Sequence, residues 1–244
     1  MSNIKITIQY DGTNYHGWQI QPNRRTIQGE LTRVLSLLAH HPVTIYGAGR
    51  TDAGVHAEGQ VANFFTERDG DIQQLRDAIN GNLDRDIRVV RAEPASDAFN
   101  ARRSAIEKIY RYRICKDEVV SPFVYRYVYH YRARLDTDLM RLAASELIGT
   151  HDFTAFTVAH ADTEDRVRTL TRLAVDESAS EIAIIVAGGG FLRYMVRTIV
   201  GTLIDVGRGK RTAASVGETL LTRERSSAGP TAPACGLTLV RVDY

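Results

Sequence analysis

The sequence predicts an α+β protein built of two ferredoxin-like (RRM-like) domains with antiparallel sheets side by side around a central cleft. Three observations lead there. Apolar residues alternate with polar ones in the opening segment, the first hundred residues read as strand, helix, strand, strand, helix, strand, and the rest repeats that order with an added helix. The two halves show no evident sequence identity. At 244 residues the chain is long enough for two such domains, and the boundary is expected close to Ala105, giving 1–105 and 106–244.

Ile4, Ile6, Ile8 and Tyr10 alternate with Lys5, Thr7 and Gln9, the period of a strand buried on one face. Asp11-Gly12-Thr13-Asn14 breaks it as a turn. After an N-cap at Thr26, the apolar residues Ile27, Leu31, Val34, Leu35 and Leu38 predict a helix to about His40. Strands at 43–46 and 60–66 enclose a glycine-rich connection, a helix carrying Ile72, Leu75, Ala78 and Ile79 is closed by Gly81 and Asn82, and 87–92 completes the first half. Residues 108–114 alternate basic with aromatic or apolar side chains, and Tyr125, Tyr127, Tyr129 and Tyr131 suggest a further strand. Asp136 caps a helix carrying Leu139, Leu142, Ala143 and Leu147 to Gly149, followed by strands at 167–175 and 181–187. The apolar run 191–206 reads as a long helix with Arg193 and Arg197 on one face. A short helix at 212–221 and a strand at 236–242 end the chain.

Composition narrows the classes. The net charge of +2 does not by itself point to nucleic acid, but only Lys5, Lys108, Lys116 and Lys210 are lysines, so 27 of 31 basic residues are arginine (31 − 4). That preference suits phosphate forks and base stacking, and equally suits coding bias in a GC-rich genome. Cys115 and Cys235 have no metal-ligand or redox spacing. The N-terminus alternates where a signal peptide would present an apolar core, and the longest apolar run, 182–192, is too short to span a bilayer. A cytoplasmic protein without membrane, metal or cofactor is expected.

The chemistry concentrates in Gly47-Ala48-Gly49-Arg50-Thr51-Asp52-Ala53-Gly54-Val55-His56-Ala57. A carboxylate stands two residues from a guanidinium in a backbone relieved by glycine, and in an extended segment Arg50 and Asp52 would share a face. This run closely resembles the signature of the TruA-type tRNA pseudouridine synthases. The resemblance continues through Tyr10-Asp11-Gly12-Thr13-Asn14-Tyr15-His16-Gly17-Trp18, through Lys108-Ile109-Tyr110-Arg111-Tyr112, through Met195-Val196-Arg197 and into the closing strand. It implies that Asp52 is catalytic, that Arg50 helps displace the target nucleotide, that Tyr110 contacts the target base, and that Arg197 pairs with the aspartate. It further implies a homodimer that binds the anticodon stem-loop of tRNA and modifies uridines 38, 39 and 40.

Isomerising uridine breaks the bond from C1′ to N1, turns the uracil and joins C1′ to C5, with no redox change. It asks for an ionised carboxylate that either attacks the sugar or removes a proton from it. Trp18 and the pair His151-Asp152 are read as structural, and Arg24, Arg25, Arg102, Arg103, Lys108, Arg166, Arg168, Arg208, Lys210 and Arg211 collectively as a path for RNA. The sequence departs from the family pattern at Asn100, where histidine is expected, and at Asp84, where proline is. Two rival readings stay open, a non-catalytic RNA-binding module of the same fold and a carboxylate-dependent nucleoside hydrolase. The first has no need of Asp52, and the second would want a second acid.

Overall fold

The computed structural model describes residues 1–67, 70–158 and 164–244. Among these residues the chain forms ten strands and five α-helices with mostly antiparallel pairing. It divides into two compact units, Met1–Ile106 with Thr238–Tyr244, and Glu107–Leu237.

The first unit runs β1 (Ser2–Tyr10), α1 (Ile27–Ala39), β2 (Ile45–Gly47), β3 (His56–Thr66), α2 (Ile72–Asn82) and β4 (Ile87–Ala95). These strands lie in the order β4-β1-β3-β2, each neighbouring pair antiparallel. Ile4, Ile6, Ile8 and Tyr10 are all buried, as the alternation requires. Thr26 caps α1 by accepting the Gly29 N–H, and Ile27, Leu31, Val34 and Leu35 form its buried face, each such burial contributing about 1.5–3 kcal/mol. Asp71 caps α2 through the Gln73 N–H. That helix includes Gly81 and Asn82 and is closed only at Leu83, because the Asn82 side chain donates back to the Ala78 carbonyl within the last turn.

The second unit runs β5 (Glu107–Cys115), β6 (Tyr129–His130), α3 (Thr137–Ser145), β7 (Gly149–Asp152), β8 (Val167–Glu177), β9 (Glu181–Gly188), α4 (Met195–Gly207) and α5 (Ala214–Thr222). Its main strands lie β5-β9-β8-β7, all antiparallel, and β6 adds two residues parallel to β5. Three expectations are corrected here. The tyrosine run 125–131 is not one strand, since the Val124 and Tyr125 N–H groups both turn onto the Ser121 carbonyl and Tyr125–Tyr127 curls into a 3₁₀ turn before β6. Helix α3 ends at Ser145 and buries Thr137, Met140, Ala143 and Ala144, which leaves Leu139 and Leu142 exposed. Helix α4 starts at Met195, because Tyr194 takes a left-handed conformation (φ 62°) that stops helical geometry from reaching Phe191.

The last strand, β10 (Leu237–Asp243), pairs parallel with β3 at Thr238 and Leu239, opposite His56 and Ala57. The Ile106 N–H donates to the Asp243 carbonyl, and the Tyr244 hydroxyl donates to the Ala101 carbonyl. No helix among the described residues is long and apolar enough to cross a membrane.

Candidate active site

Asp52 lies in the connection from β2 to β3, and the backbone around it is held from several directions. The Ala48 N–H extends the ladder by donating to the Val61 carbonyl, and the Gln60 side chain donates to the Gly49 carbonyl. Residues 48–55 form a loop and not an extended strand, so strand periodicity does not fix a common face for Arg50 and Asp52. Arg50 is exposed, Thr51 buried and Asp52 half-buried, so Thr51 is the anchor of this stretch.

That anchor is set by the stretch that follows β1. The Tyr10 hydroxyl lies 2.8 Å from Thr51 Oγ1, and the Trp18 backbone N–H donates to the Thr51 carbonyl at 3.0 Å. Burial pushes the Tyr10 hydroxyl up to about 12, so it stays protonated and able to donate at neutral pH. Gly17, with φ 84°, sits so close that a Cβ there would lie 2.5 Å from the Thr51 carbonyl oxygen and 3.0 Å from the Asp52 carbonyl carbon. Only glycine allows both the conformation and the approach. The Trp18 ring, 2 % exposed, covers Gly47 from the other end of the loop. Downstream of the carboxylate, the Val55 N–H turns back onto the Asp52 carbonyl, and the Gly54 N–H donates to the Tyr15 carbonyl. His56 opens β3 fully buried, with its Nδ1 accepting the Gly12 N–H at 3.1 Å.

Tyr15, Tyr10, Gly17 and Thr51 are thus supporting residues that reasoning from the sequence left without a role, and Trp18 packs as expected. The signal that could have found them is the dense turn chemistry of residues 11–17, which has no purpose unless something sits against it.

Tyr110 and Arg197 lie in the second unit. Tyr110 projects from β5 opposite Val186, is buried, and meets Phe191 edge-to-face with ring centroids 5.1 Å apart, a favoured aromatic geometry. Arg197 occupies the first turn of α4. Its Nε donates to the Ala232 carbonyl at 2.7 Å, and its Cζ lies 5.3 Å from the Tyr194 ring centroid.

The expected basic path is partly committed elsewhere. Arg25 stacks on the Tyr15 ring at 4.5 Å and is ion-paired with Asp84, with Glu30 and Asp86 each at 3.8 Å. Arg211 donates to the Ser227 carbonyl, and Arg208 and Lys210 face Asp205. Both departures from the family pattern are used. Asp84 binds Arg25, and Asn100 Oδ1 accepts the N–H groups of Arg102 and Arg103. His151 and Asp152 anchor a loop, His151 against the Ile148 carbonyl and Asp152 against Thr154 and Arg223. The Thr154 hydrogen bond holds the Asp152 carboxyl below the usual range. Among the described residues no group of His, Cys, Asp and Glu side chains could hold a metal ion.

A family model described as tRNA pseudouridine synthase matches residues 6–102 and 143–244. A tRNA pseudouridine synthase A of Exiguobacterium sp. is 46% identical over 244 residues, spanning 100% of this chain and 98% of its own. That of Halalkalibacterium halodurans is 43% identical over 238 residues, 97% of this chain and 90% of its own, and that of Brevibacillus brevis is 42% identical over the whole of both chains. A solved Cbf5-Nop10-Gar1 complex matches 96% of this chain and 57% of the matched chain at 11% identity and a TM-score of 0.35, too slight a likeness to decide fold or function.

Proposed function

This chain belongs to the tRNA pseudouridine synthase family and converts uridine to pseudouridine in tRNA, and from that premise we propose that Asp52 supplies the catalytic carboxylate. The observation that carries the proposal is the loop itself. Its backbone is fixed at Ala48, Gly49, Thr51, Gly54 and Val55 by partners in the first unit, while the Asp52 side chain between them stays half-buried. A carboxylate held ready in this way avoids reorganisation when charge develops at C1′.

In the reaction the C1′ to N1 bond breaks, the released uracil turns, and C5 bonds to C1′. The proton on C5 leaves and N1 regains one, so atoms and charge balance without an added reagent. Asp52 either forms a bond to the sugar or takes a proton from it. Tyr110 offers a ring face for the uracil and a hydroxyl for the proton at C5. Arg50, exposed beside Asp52, suits the space and the phosphate of a displaced nucleotide, a displacement that costs a few kcal/mol. Arg197 supplies the cation that an ionised carboxylate calls for. The anticodon stem-loop as target, a homodimeric state, a cytoplasmic location and two ferredoxin-like domains meeting near Ala105 belong to the same proposal. The strand order β4-β1-β3-β2 supports the last point for the first unit.

The test is release of tritium from C5 of uridine in an unmodified tRNA transcript, in the presence of a chelator, by the wild type and by Asp52→Ala. Release by the wild type alone, with both proteins binding the transcript, supports Asp52 as the catalytic group. Undiminished release by Asp52→Ala overturns its role. Binding without release by either protein would favour the RNA-binding module, and free uracil would favour the hydrolase.

A further inference from the structure

We infer that Thr202 and Arg225 are positioning residues that aim the Arg197 guanidinium through a strap of backbone, residues 229–232, laid along α4; the inference rests on the reading that Arg197 serves the reaction. The strap touches the helix backbone directly. A Cβ on Gly201 would lie 1.7 Å from the Pro230 carbonyl oxygen, and one on Gly229 would lie 2.6 Å from the Thr202 Cα. Neither glycine has a positive φ, so close approach alone is what excludes a side chain there.

The strap is tied at both ends. At one, the Gly229 N–H donates to Thr202 Oγ1 at 2.9 Å while that hydroxyl donates to the Thr198 carbonyl at 2.8 Å, so Thr202 works in both directions. At the other, the Ala232 N–H donates to the Arg197 carbonyl at 3.0 Å and Arg197 Nε returns a bond to the Ala232 carbonyl at 2.7 Å. Arg225 braces the span, with Nη1 on the Gly229 carbonyl at 2.9 Å and Nη2 on Thr231 Oγ1 at 3.1 Å.

The chemical consequence falls on Arg197. Its long side chain has several rotatable bonds, but the guanidinium is planar, so fixing Nε to one carbonyl and placing the Tyr194 ring beside Cζ determines where its Nη atoms point. A strap that drifts carries the Ala232 carbonyl with it. The charge of Arg197 is unchanged, and its direction is lost.

The experiment is a set of double-mutant cycles read by kcat, KM and tRNA binding, with circular dichroism melting as the folding check. Thr202→Val and Arg225→Gln are each expected to lower kcat roughly 10- to 100-fold, the scale of a misplacement of about 1 Å, with KM and tRNA affinity held within about twofold. Thr202→Ser, which keeps the hydroxyl, restores kcat. In an Arg197→Gln background neither substitution costs anything further, because there is no guanidinium left to aim. Losses that multiply undiminished in that background, or full activity in folded Arg225→Gln and Thr202→Val, overturn the inference. Arg225 lies outside the helix and serves as the second probe if Thr202→Val does not fold. Full kcat in Arg197→Gln alone overturns instead the reading of Arg197 on which the inference stands.

Discussion

Replacing Gly47 by alanine tests whether the Asp52 loop is positioned by what lies beneath it. Gly47 ends β2, and a Cβ there would stand 2.4 Å from Trp18 Cζ2, 2.5 Å from Cε2 and 2.8 Å from Nε1. Its φ is not positive, so alanine meets a steric obstacle and no backbone one. Ordinary contact begins near 3.4 Å, so the ring must retreat by about 1.0 Å (3.4 − 2.4). Trp18 is 2 % exposed, which leaves the ring little room, and the backbone N–H of the same residue is bound to the Thr51 carbonyl. Overpacking of this kind destabilises by about 1–3 kcal/mol, a fall in Tm of about 2–4 °C per kcal/mol at this chain length. The larger effect is expected in the reaction, where a shift of about 1 Å passed through Thr51 to Asp52 lowers kcat roughly 100-fold. Tritium release gives kcat, and the emission of Trp18, the sole tryptophan, reports the ring's displacement in the same sample. Trp18→Phe removes the atoms that the new Cβ strikes, so the double variant should recover part of the loss. A folded Gly47→Ala protein with wild-type kcat would refute the argument, as would a loss that Trp18→Phe leaves untouched.

Two further outcomes are expected. Folding raises the Tyr10 hydroxyl from 10.0 to about 12 through burial, so it stabilises the native state fully below pH 10 and loses that contribution as pH rises toward 12. The effect is about 3 kcal/mol for the shift. Urea unfolding at pH 8 and pH 11 should therefore show a shallower alkaline loss in Tyr10→Phe than in the wild type, with a cost of about 0.5–1.5 kcal/mol at pH 8 from the bond to Thr51; equal losses in both would sink the assignment. Affinity for tRNA should fall steeply with salt, because the release of counterions from the phosphates favours binding less as bulk salt rises, and a flat response would remove the phosphate path.

Much of the first unit can be read directly from its residues because its cues are local. The Thr26 cap and the apolar spacing after it define α1, and strict alternation defines β1. The candidate loop was legible for a different reason, since its glycines, arginine and aspartate are contiguous. Its supports were not, because Tyr10 to Thr51 and Trp18 to Gly47 are contacts between segments roughly thirty to forty residues apart, which no local spacing of residues records. In the second unit the failures have physical causes. Phe191, Leu192 and Met195 have helical spacing, yet Phe191 packs against Tyr110 and Tyr194 turns left-handed, so tertiary contact overrides propensity. Leu139 and Leu142 are apolar at helical spacing but face outward, because Met140 and Ala143 take the inner face.

The tethering of the loop at Ala48, Gly49, Thr51, Gly54 and Val55 also bears on who moves during catalysis. A loop tied at so many backbone atoms is poorly suited to travel toward a buried nucleotide, so with Asp52 as the reacting carboxylate the conformational work falls on the RNA. Selection among uridines then becomes a matter of how cheaply each nucleotide leaves its stack. On that reading, uridines in weakly paired or flexible positions are expected to react faster than those in rigid duplex.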